Sequence, residues 1–153
     1  MTDLNQSTAE NQKKKKEKKP KRILIAEPNS DIQFLYSLFT KEYGFSISDV
    51  KVVQNGNKCL EIIHSNREYN NENNDYDIFI VDTHRRDISG FEVARKIRER
   101  LPHKKIILTT TYSLDNISNM IDSIGIKSQD VILKPFLFSD LFSILKEPGM
   151  SYN

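Results

Sequence analysis

Short apolar runs and helical patterns alternate along the chain from residue 23 onward. Each run ends in a polar residue, and segments with apolar residues at helical spacing separate the runs. This alternation is typical of parallel strands joined by right-handed helical crossovers. We therefore predict an α/β fold, a doubly wound parallel sheet with five strands at 23–26, 50–53, 78–81, 106–108 and 131–133.

Five amphipathic helices are predicted between and after these strands. Asn29 or Ser30 can cap the first helix and Gly44 marks its end, whereas Pro102 ends the third and Gly125 the fourth. We expect the core-facing positions to be Ile32, Leu35 and Phe39; Cys59, Leu60 and Ile63; Phe91, Ala94, Ile97 and Leu101; Ile117, Met120, Ile121 and Ile124; and Leu137, Leu141, Ile144 and Leu145.

The polar residues that follow the apolar runs are the candidates for chemistry. Glu27, Asp82, Thr110 and Lys134 each stand at the end of a different run. Because parallel sheets bind ligands beyond the carboxyl ends of their strands, we expect these groups at one edge. Asp82 opens a polar loop, so we expect its carboxylate to be displayed and not buried.

The order Glu27, Asp82, Thr110 and Lys134-Pro135-Phe136, with Asn55-Gly56 before a helix and Gly90-Phe91-Glu92-Val93-Ala94 after the aspartate loop, resembles a known family. Over residues 21 to 146 the chain is similar to the receiver domain of two-component response regulators. Any one of these motifs is weak, but together they are specific. The resemblance implies a CheY-like, flavodoxin-like sheet of strand order 2-1-3-4-5.

The resemblance also implies roles for individual residues. Asp82 would accept a phosphoryl group from a histidine kinase or phosphotransfer protein, with Thr110 as the switch hydroxyl and Lys134 as the family's conserved lysine. Mg²⁺ would lie near Glu27, Asp82 and the backbone carbonyl of His84. The domain would be a stand-alone signalling module with no enzymatic activity beyond self-catalysed phosphoryl transfer and dephosphorylation, and its output would be a protein contact.

The chain departs from the family pattern at several positions. Pro28 follows Glu27 where receivers usually carry a second acid, and Val131, Thr111 and Arg86 replace a switch aromatic, a small residue and a proline. Three outcomes fit Pro28: Glu27 reaches the metal itself, the metal binds weakly with extra water, or the domain works without phosphorylation. The last is a pseudo-receiver, an interaction module of the same fold.

Other polar residues have simpler interpretations. Asp31 is a candidate substitute for the missing acid at the metal, although its place about one turn into the first helix favours a solvated or capping role. Asp87 is expected to be a loop residue and not a ligand. His64 and His103 lack partners at metal-ligand spacing, so we expect exposed side chains. Cys59, the single cysteine, is expected to pack in the core and stay reduced in the cytoplasm.

Composition divides the chain into a disordered basic tail at 1–20, a receiver domain at 21–147 and a short tail at 148–153. The net charge is +2, but eight lysines and arginines against three acids lie in residues 1–22, which leaves the rest mildly acidic. The tail is expected to be solvated, or alternatively to make salt-sensitive contacts with nucleic acid or an anionic membrane. The Asn-rich stretch 64–77 is predicted to be a mobile loop.

Several function classes find no support in the residues. No apolar stretch approaches the ~20 residues of a membrane span, and the first residues are too hydrophilic for a signal peptide. A glycine-rich phosphate loop is missing after the first strand, which disfavours a flavodoxin-like enzyme. No helix-turn-helix segment follows the fifth helix, so we expect no sequence-specific nucleic-acid binding.

Overall fold

The computed structural model describes residues 21–46, 49–68, 76–84 and 87–145. The predicted tails at 1–20 and 148–153 and residue Arg86 lie outside these ranges. The strands are β1 (Ile23–Ala26), β2 (Val50–Val53), β3 (Ile78–Asp82), β4 (Lys105–Thr110) and β5 (Val131–Leu133). The helices are α1 (Ser30–Glu42), α2 (Gly56–Glu68), α3 (Gly90–Arg100), α4 (Leu114–Ile124) and α5 (Phe138–Leu145), with a 3₁₀ turn at Ser128–Asp130.

The five strands form one parallel sheet in the order β2-β1-β3-β4-β5, which confirms the predicted fold class. Ala26 pairs with Val53 on one side and Val81 on the other, so β1 and β2 end level and β3 extends one residue further, to Asp82. Asp82 pairs with Thr109, one residue before the end of β4. The carboxyl ends of the central strands therefore meet at one edge.

Helices cover both faces of the sheet. On one face α2, α3 and α4 pack through Cys59, Ile97 and Ile121 against strand residues such as Phe79 and Leu108. On the other face α1 and α5 pack through Tyr36, Phe138 and Leu141 against residues such as Ile25 and Ile80. A strand buried on both faces must be continuously apolar, which explains the unbroken runs in β1 and β3.

Helix ends follow the local sequence. The Asn29 side chain accepts hydrogen bonds from the amides of Asp31 and Ile32, at 2.9 and 3.1 Å. Of the two predicted candidates, Asn29 and not Ser30 is therefore the N-cap of α1. Gly125 ends α4 in the left-handed conformation at φ 78°, as glycine does without a Cβ penalty. Within the described ranges no helix combines the length and apolarity needed to cross a bilayer.

Three predicted core positions were wrong. Leu35, Met120 and Leu137 are 38%, 42% and 68% exposed. In α1 the buried positions are Tyr36 and Thr40, one turn apart, so the helix is rotated from the predicted face. In α5 two further aromatic residues, Phe138 and Phe142, fill the space that the prediction assigned partly to Leu137.

The predicted loop at 64–77 was also wrong over part of its length. Residues His64–Glu68 continue α2. Tyr76 is buried, and Asp77 accepts a 2.9 Å hydrogen bond from the amide of Arg22. Residues 69–75 lie outside the described ranges.

Arg98 joins the carboxyl ends of two neighbouring helices. From α3 its guanidinium donates to the carbonyl oxygens of Pro102 and Lys104, at 3.0 and 2.7 Å. It also donates to the carbonyls of Ile124 and Gly125, at 3.3 and 3.4 Å, where α4 ends. Only a planar fork of five N–H donors can serve four acceptors in this way, so a lysine cannot replace this residue.

We expect Arg98→Lys to lower the free energy of unfolding by about 1–2 kcal/mol, since several carbonyls lose their donor while the charge is kept. Urea unfolding measures the change. Arg95→Lys is the matched control, because Arg95 makes one exposed ion pair with Glu92 in the same helix, and its effect should stay within about 0.5 kcal/mol. Equal effects of the two substitutions would contradict the role of Arg98.

Candidate functional site

Each candidate residue is the last residue of its strand or directly follows it, so all of them lie at the carboxyl edge of the sheet. Asp82 is the last residue of β3 and Thr110 the last of β4. Glu27 directly follows β1 and its amide donates to Val53 O at 3.0 Å. Lys134 directly follows β5 and its amide donates to Thr110 O at 2.7 Å. Both residues therefore continue the hydrogen-bond pattern of the sheet beyond the strand ends.

The ammonium group of Lys134 joins two carboxylates. Its Nζ lies 2.5 Å from Glu27 Oε1 and 2.7 Å from Asp82 Oδ2. All three side chains are largely withdrawn from solvent, and that of Glu27 is only 1% exposed. Two buried carboxyl groups thus share one partly buried ammonium group.

Asp82 is buried and not displayed as the sequence suggested, because the loop after β3 covers it. Its Oδ1 accepts a 2.7 Å hydrogen bond from the amide of His84 in that loop. Its Oδ2 accepts from Lys134 and, at 3.0 Å, from the hydroxyl of Thr109. The carboxylate is thus held on both oxygens while still lining a pocket.

Glu27 is held by its own segment of chain as well as by Lys134. Oε2 accepts a 3.1 Å hydrogen bond from the amide of Asn29, and the Gln33 side chain donates to Glu27 O at 2.6 Å. Burial raises the pKa of Glu27 above its ordinary value of 4.5, and the hydrogen bonds from Lys134 and Asn29 act in the opposite direction. The contacts with Lys134 and Asn29 hold both carboxylate oxygens of Glu27 at the pocket.

The two threonines at the end of β4 make different contacts. Thr109, which sequence analysis did not single out, touches Asp82. The hydroxyl of Thr110 lies 2.8 Å from that of Thr83 and accepts from the amide of Tyr112 at 3.1 Å. The structure therefore brings Thr109 to the Asp82 carboxylate and Thr110 to Thr83, the residue after Asp82.

A pocket of about 280 Å³ opens over the carboxylates. Exposed side chains of His84 and Tyr112 stand at its rim. Its lining consists of Glu27, Pro28, Asn29, Ile32, Asp82, Thr83, His84, Thr111, Tyr112 and Lys134. An anion of phosphate size fits this space, with Lys134 as the cation facing it.

The donor set at this edge suits a hard cation in part. Glu27 and Asp82 supply two carboxylates near enough to share one ammonium, and Mg²⁺ commonly binds through one or two carboxylates with several waters. Pro28 adds no side-chain oxygen. Within the described residues no cluster of three or more His, Cys, Asp or Glu side chains forms a metal site. The residues therefore fit Mg²⁺ held by two carboxylates and completed by backbone oxygen and water.

The neighbouring acids have structural roles outside the pocket. Asp31 is exposed in the first turn of α1. Asp87, in the loop after Asp82, accepts a 3.0 Å hydrogen bond from the amide of Asn57 at the start of α2. Slight burial raises the pKa of Asp87, but hydrogen bonds from the backbone amides of Ile88 and Asn57 outweigh this effect and lower the pKa below its ordinary value.

The remaining histidines and the cysteine lie away from the site. His64 and His103 are exposed as expected, and His64 Nδ1 lies 2.7 Å from the Arg100 guanidinium. Cys59 is fully buried in the core, and burial raises the pKa of its thiol to about 12. Such a thiol remains protonated and unreactive, which fits the predicted packing role.

Gly90 allows α3 to begin against the strand that carries Asp82. A Cβ at this position would overlap the backbone carbonyl oxygen of Asp82. Only glycine lets the two backbones approach this closely. The glycine of the Gly90-Phe91 motif therefore has a packing reason, because it lets the start of α3 lie against the backbone of Asp82.

Comparison with known families agrees with this geometry. The model of the response regulator receiver domain matches residues 23–146, most of the chain. The chain belongs to the response regulator receiver family. Receivers of this family act in two-component signalling, so the predicted relationship is confirmed.

The curated relatives are longer than this receiver. It is 29% identical over 129 residues to the transcriptional regulatory protein CutR of Streptomyces coelicolor, and equally to that of Streptomyces lividans. The match covers 84% of this chain and 53% of each CutR. The chain thus spans about half the length of the curated relatives it matches.

Solved receivers share its fold. A CheY-like receiver domain protein from Methanospirillum hungatei has a TM-score of 0.69 at 23% identity, covering 84% of this chain and 92% of that one. The response regulator TrrA of Thermotoga maritima, in complex with Mg²⁺ and BeF, has a TM-score of 0.66 at 29% identity, covering 83% and 97%. The order and parallel pairing of the sheet are therefore those of a CheY-like receiver.

Tyr36 lies buried beneath the site of this receiver. Its ring contacts Phe138 edge-on, with centroids 5.0 Å apart. Among the described residues, its hydroxyl oxygen finds no hydrogen-bond partner. Burial, followed by the charges of Glu27 and Asp82, raises the pKa of Tyr36 well above its ordinary value, so the hydroxyl is a neutral, unpaired group.

We expect Tyr36→Phe to raise the free energy of unfolding by about 1 kcal/mol, because an unpaired buried hydroxyl is removed while the ring packing stays. Urea unfolding tests this. Tyr43→Phe, at a partly exposed tyrosine that directly follows α1 and stacks on Phe142, is the control and should change stability little. A loss of stability in Tyr36→Phe would show that the hydroxyl has a partner in solution.

Proposed function

We propose that this domain is a stand-alone receiver that accepts a phosphoryl group on Asp82 from a histidine kinase or phosphotransfer protein in the cytoplasm. The observation that supports this most directly is the pairing of Asp82 with Lys134 at the pocket. A carboxylate held beside a cation, with open space in front of it, suits attack on an electrophilic phosphoryl group. The matched family acts in the same type of signalling.

The transfer needs positioning and positive charge more than covalent help from the protein. A carboxylate oxygen of Asp82 forms a bond to phosphorus as the phosphorus–nitrogen bond of a phosphohistidine breaks. The electron pair stays on the imidazole nitrogen, which takes up a proton. Lys134, already 2.7 Å from Asp82 Oδ2, faces the charge on the phosphoryl oxygens.

Mg²⁺ fits this proposal through Glu27 and Asp82, with the His84 carbonyl as a third oxygen. When bound, the ion would supply further positive charge beside the phosphoryl oxygens. Glu27 and Asp82 would then each exchange a contact with Lys134 for one with the metal, while Thr109 keeps its hydrogen bond to Asp82. TrrA, which shares the fold, has been solved with Mg²⁺ and BeF.

The output we propose is a protein contact, with the partner still to be identified. A phosphoryl group adds about two negative charges, and drawing Thr110 towards it would shift the surface of α4 and α5. Thr110 must first leave Thr83, with which it shares a hydrogen bond. Breaking this bond is a cost that activation has to overcome.

We expect phosphoramidate to label the wild-type protein through an acid- and base-sensitive acyl phosphate, and Asp82→Asn to abolish the labelling. Mass spectrometry of the intact protein measures the added phosphoryl group. Asp87→Asn is the matched control in the same loop, since Asp87 binds the start of α2 and not the pocket, and it should retain labelling. Equal labelling of wild type and Asp82→Asn would refute the assignment.

One observation favours a second candidate function, a phosphorylation-independent pseudo-receiver. Lys134 joins Glu27 to Asp82, and Pro28 provides no further acid. An ammonium between the two carboxylates neutralises much of the charge that would attract a metal. In this alternative the domain binds its partner without Mg²⁺ or phosphate.

Magnesium binding discriminates between the two candidates, and Pro28→Asp sharpens the test. We expect weak binding by the wild type and an affinity at least about tenfold higher in Pro28→Asp. A carboxylate about 4 Å from a unit cation contributes roughly 4 kcal/mol at an effective dielectric near 20, before desolvation. Calorimetric titration measures both proteins, with the exposed Asp31→Asn as a control that keeps wild-type affinity. No binding by the wild type up to tens of millimolar would favour the pseudo-receiver.

A further inference from the structure

The two oxygens of the Asp82 carboxylate are not equivalent. Among the described residues, Oδ2 accepts from Lys134 Nζ at 2.7 Å and from Thr109 Oγ1 at 3.0 Å, whereas Oδ1 accepts from the His84 amide at 2.7 Å. A carboxylate oxygen offers about two lone-pair sites. Oδ2 is therefore saturated, and Oδ1 keeps a site for a new bond.

The contact between Thr109 and Asp82 is built into the sheet. The two residues are direct partners across β3 and β4, and partners in adjacent strands project to the same face. Both side chains are buried, and leaving the Thr109 hydroxyl without a hydrogen-bond acceptor there would cost free energy. Its β-branched side chain has few rotamers, which limits how the hydroxyl can point.

Thr109 differs in this respect from the next threonine. The hydroxyl of Thr110 accepts a hydrogen bond from the hydroxyl of Thr83, which follows Asp82 in the chain. The amide of Thr83 donates to Thr109 O at 3.0 Å and so keeps the two strands in step beyond the end of β3. The two adjacent threonines therefore make different contacts. Thr109 bonds the carboxylate of Asp82, and Thr110 bonds the loop residue Thr83.

We propose that Thr109 is a positioning residue for the phosphoryl acceptor. Its hydroxyl and Lys134 together hold Oδ2 and prevent the carboxylate from rotating, which presents Oδ1 as the atom that bonds to phosphorus. This inference deepens the phospho-accepting function proposed above and depends on it. The effect concerns orientation, so it requires the hydroxyl and not merely a side chain of this shape.

Phosphoramidate is the probe, because it needs no kinase. Oδ1 bonds to phosphorus, the phosphorus–nitrogen bond breaks, and nitrogen keeps the electron pair and takes a proton to leave as ammonia. We expect Thr109→Val, which keeps the shape but loses the hydroxyl, to label about tenfold more slowly, and Thr109→Ser to stay within about twofold of wild type. Thr40→Val is the matched control: Thr40 is a buried threonine whose hydroxyl donates to Ser37 O in α1, and its loss should leave the rate unchanged.

Urea unfolding of each variant, run in parallel, confirms that rates are compared between folded proteins. A wild-type rate in Thr109→Val would overturn the proposal, and so would a Thr109→Ser rate as low as that of Thr109→Val, since packing would then be the cause. If the wild type takes no label, or Asp82→Asn labels equally, the phospho-accepting function fails and the positioning role with it. A labelled wild type with an unaffected Thr109→Val removes the positioning role alone.

Discussion

The ammonium of Lys134, held between two buried carboxylates, is the interaction on which the site depends. Removing a carboxylate from water is costly unless a counter-charge and hydrogen bonds accompany it, and here two carboxylates rely on one lysine. The three groups come from the ends of β1, β3 and β5, which are far apart in the chain. They meet because the strands are parallel and β3 extends only one residue beyond β1.

Much of this arrangement could be predicted from the sequence, because parallel strands buried on both faces are continuous apolar runs. The ends of those runs located Glu27, Asp82 and Lys134 at one edge. Helix faces were harder to predict: spacing alone allowed Leu35 to face the core, but the buried α1 positions are Tyr36 and Thr40. Contacts with aromatic side chains of α5, such as that of Tyr36 with Phe138, bury a face of α1 that the hydrophobic pattern does not single out.

The role of Thr109 was beyond prediction for a related reason. Thr109, Thr110 and Thr111 are chemically identical, and only the register between β3 and β4 decides which hydroxyl meets Asp82. The sequence contains no signal for that register beyond the strand boundaries. For the same reason the burial of Asp82 was missed, since the backbone of the following loop, through the His84 amide, encloses the carboxylate.

The contact of Asp87 with the start of α2 connects the loop after β3 to a helix outside the pocket. This loop leaves Asp82, and the carboxylate of Asp87 within it satisfies the amide of Asn57 at the exposed end of another helix. Moving the loop therefore leaves a helix terminus without its acceptor. A single carboxylate therefore links the loop after β3 to the start of α2, on the side of the molecule away from α1 and α5.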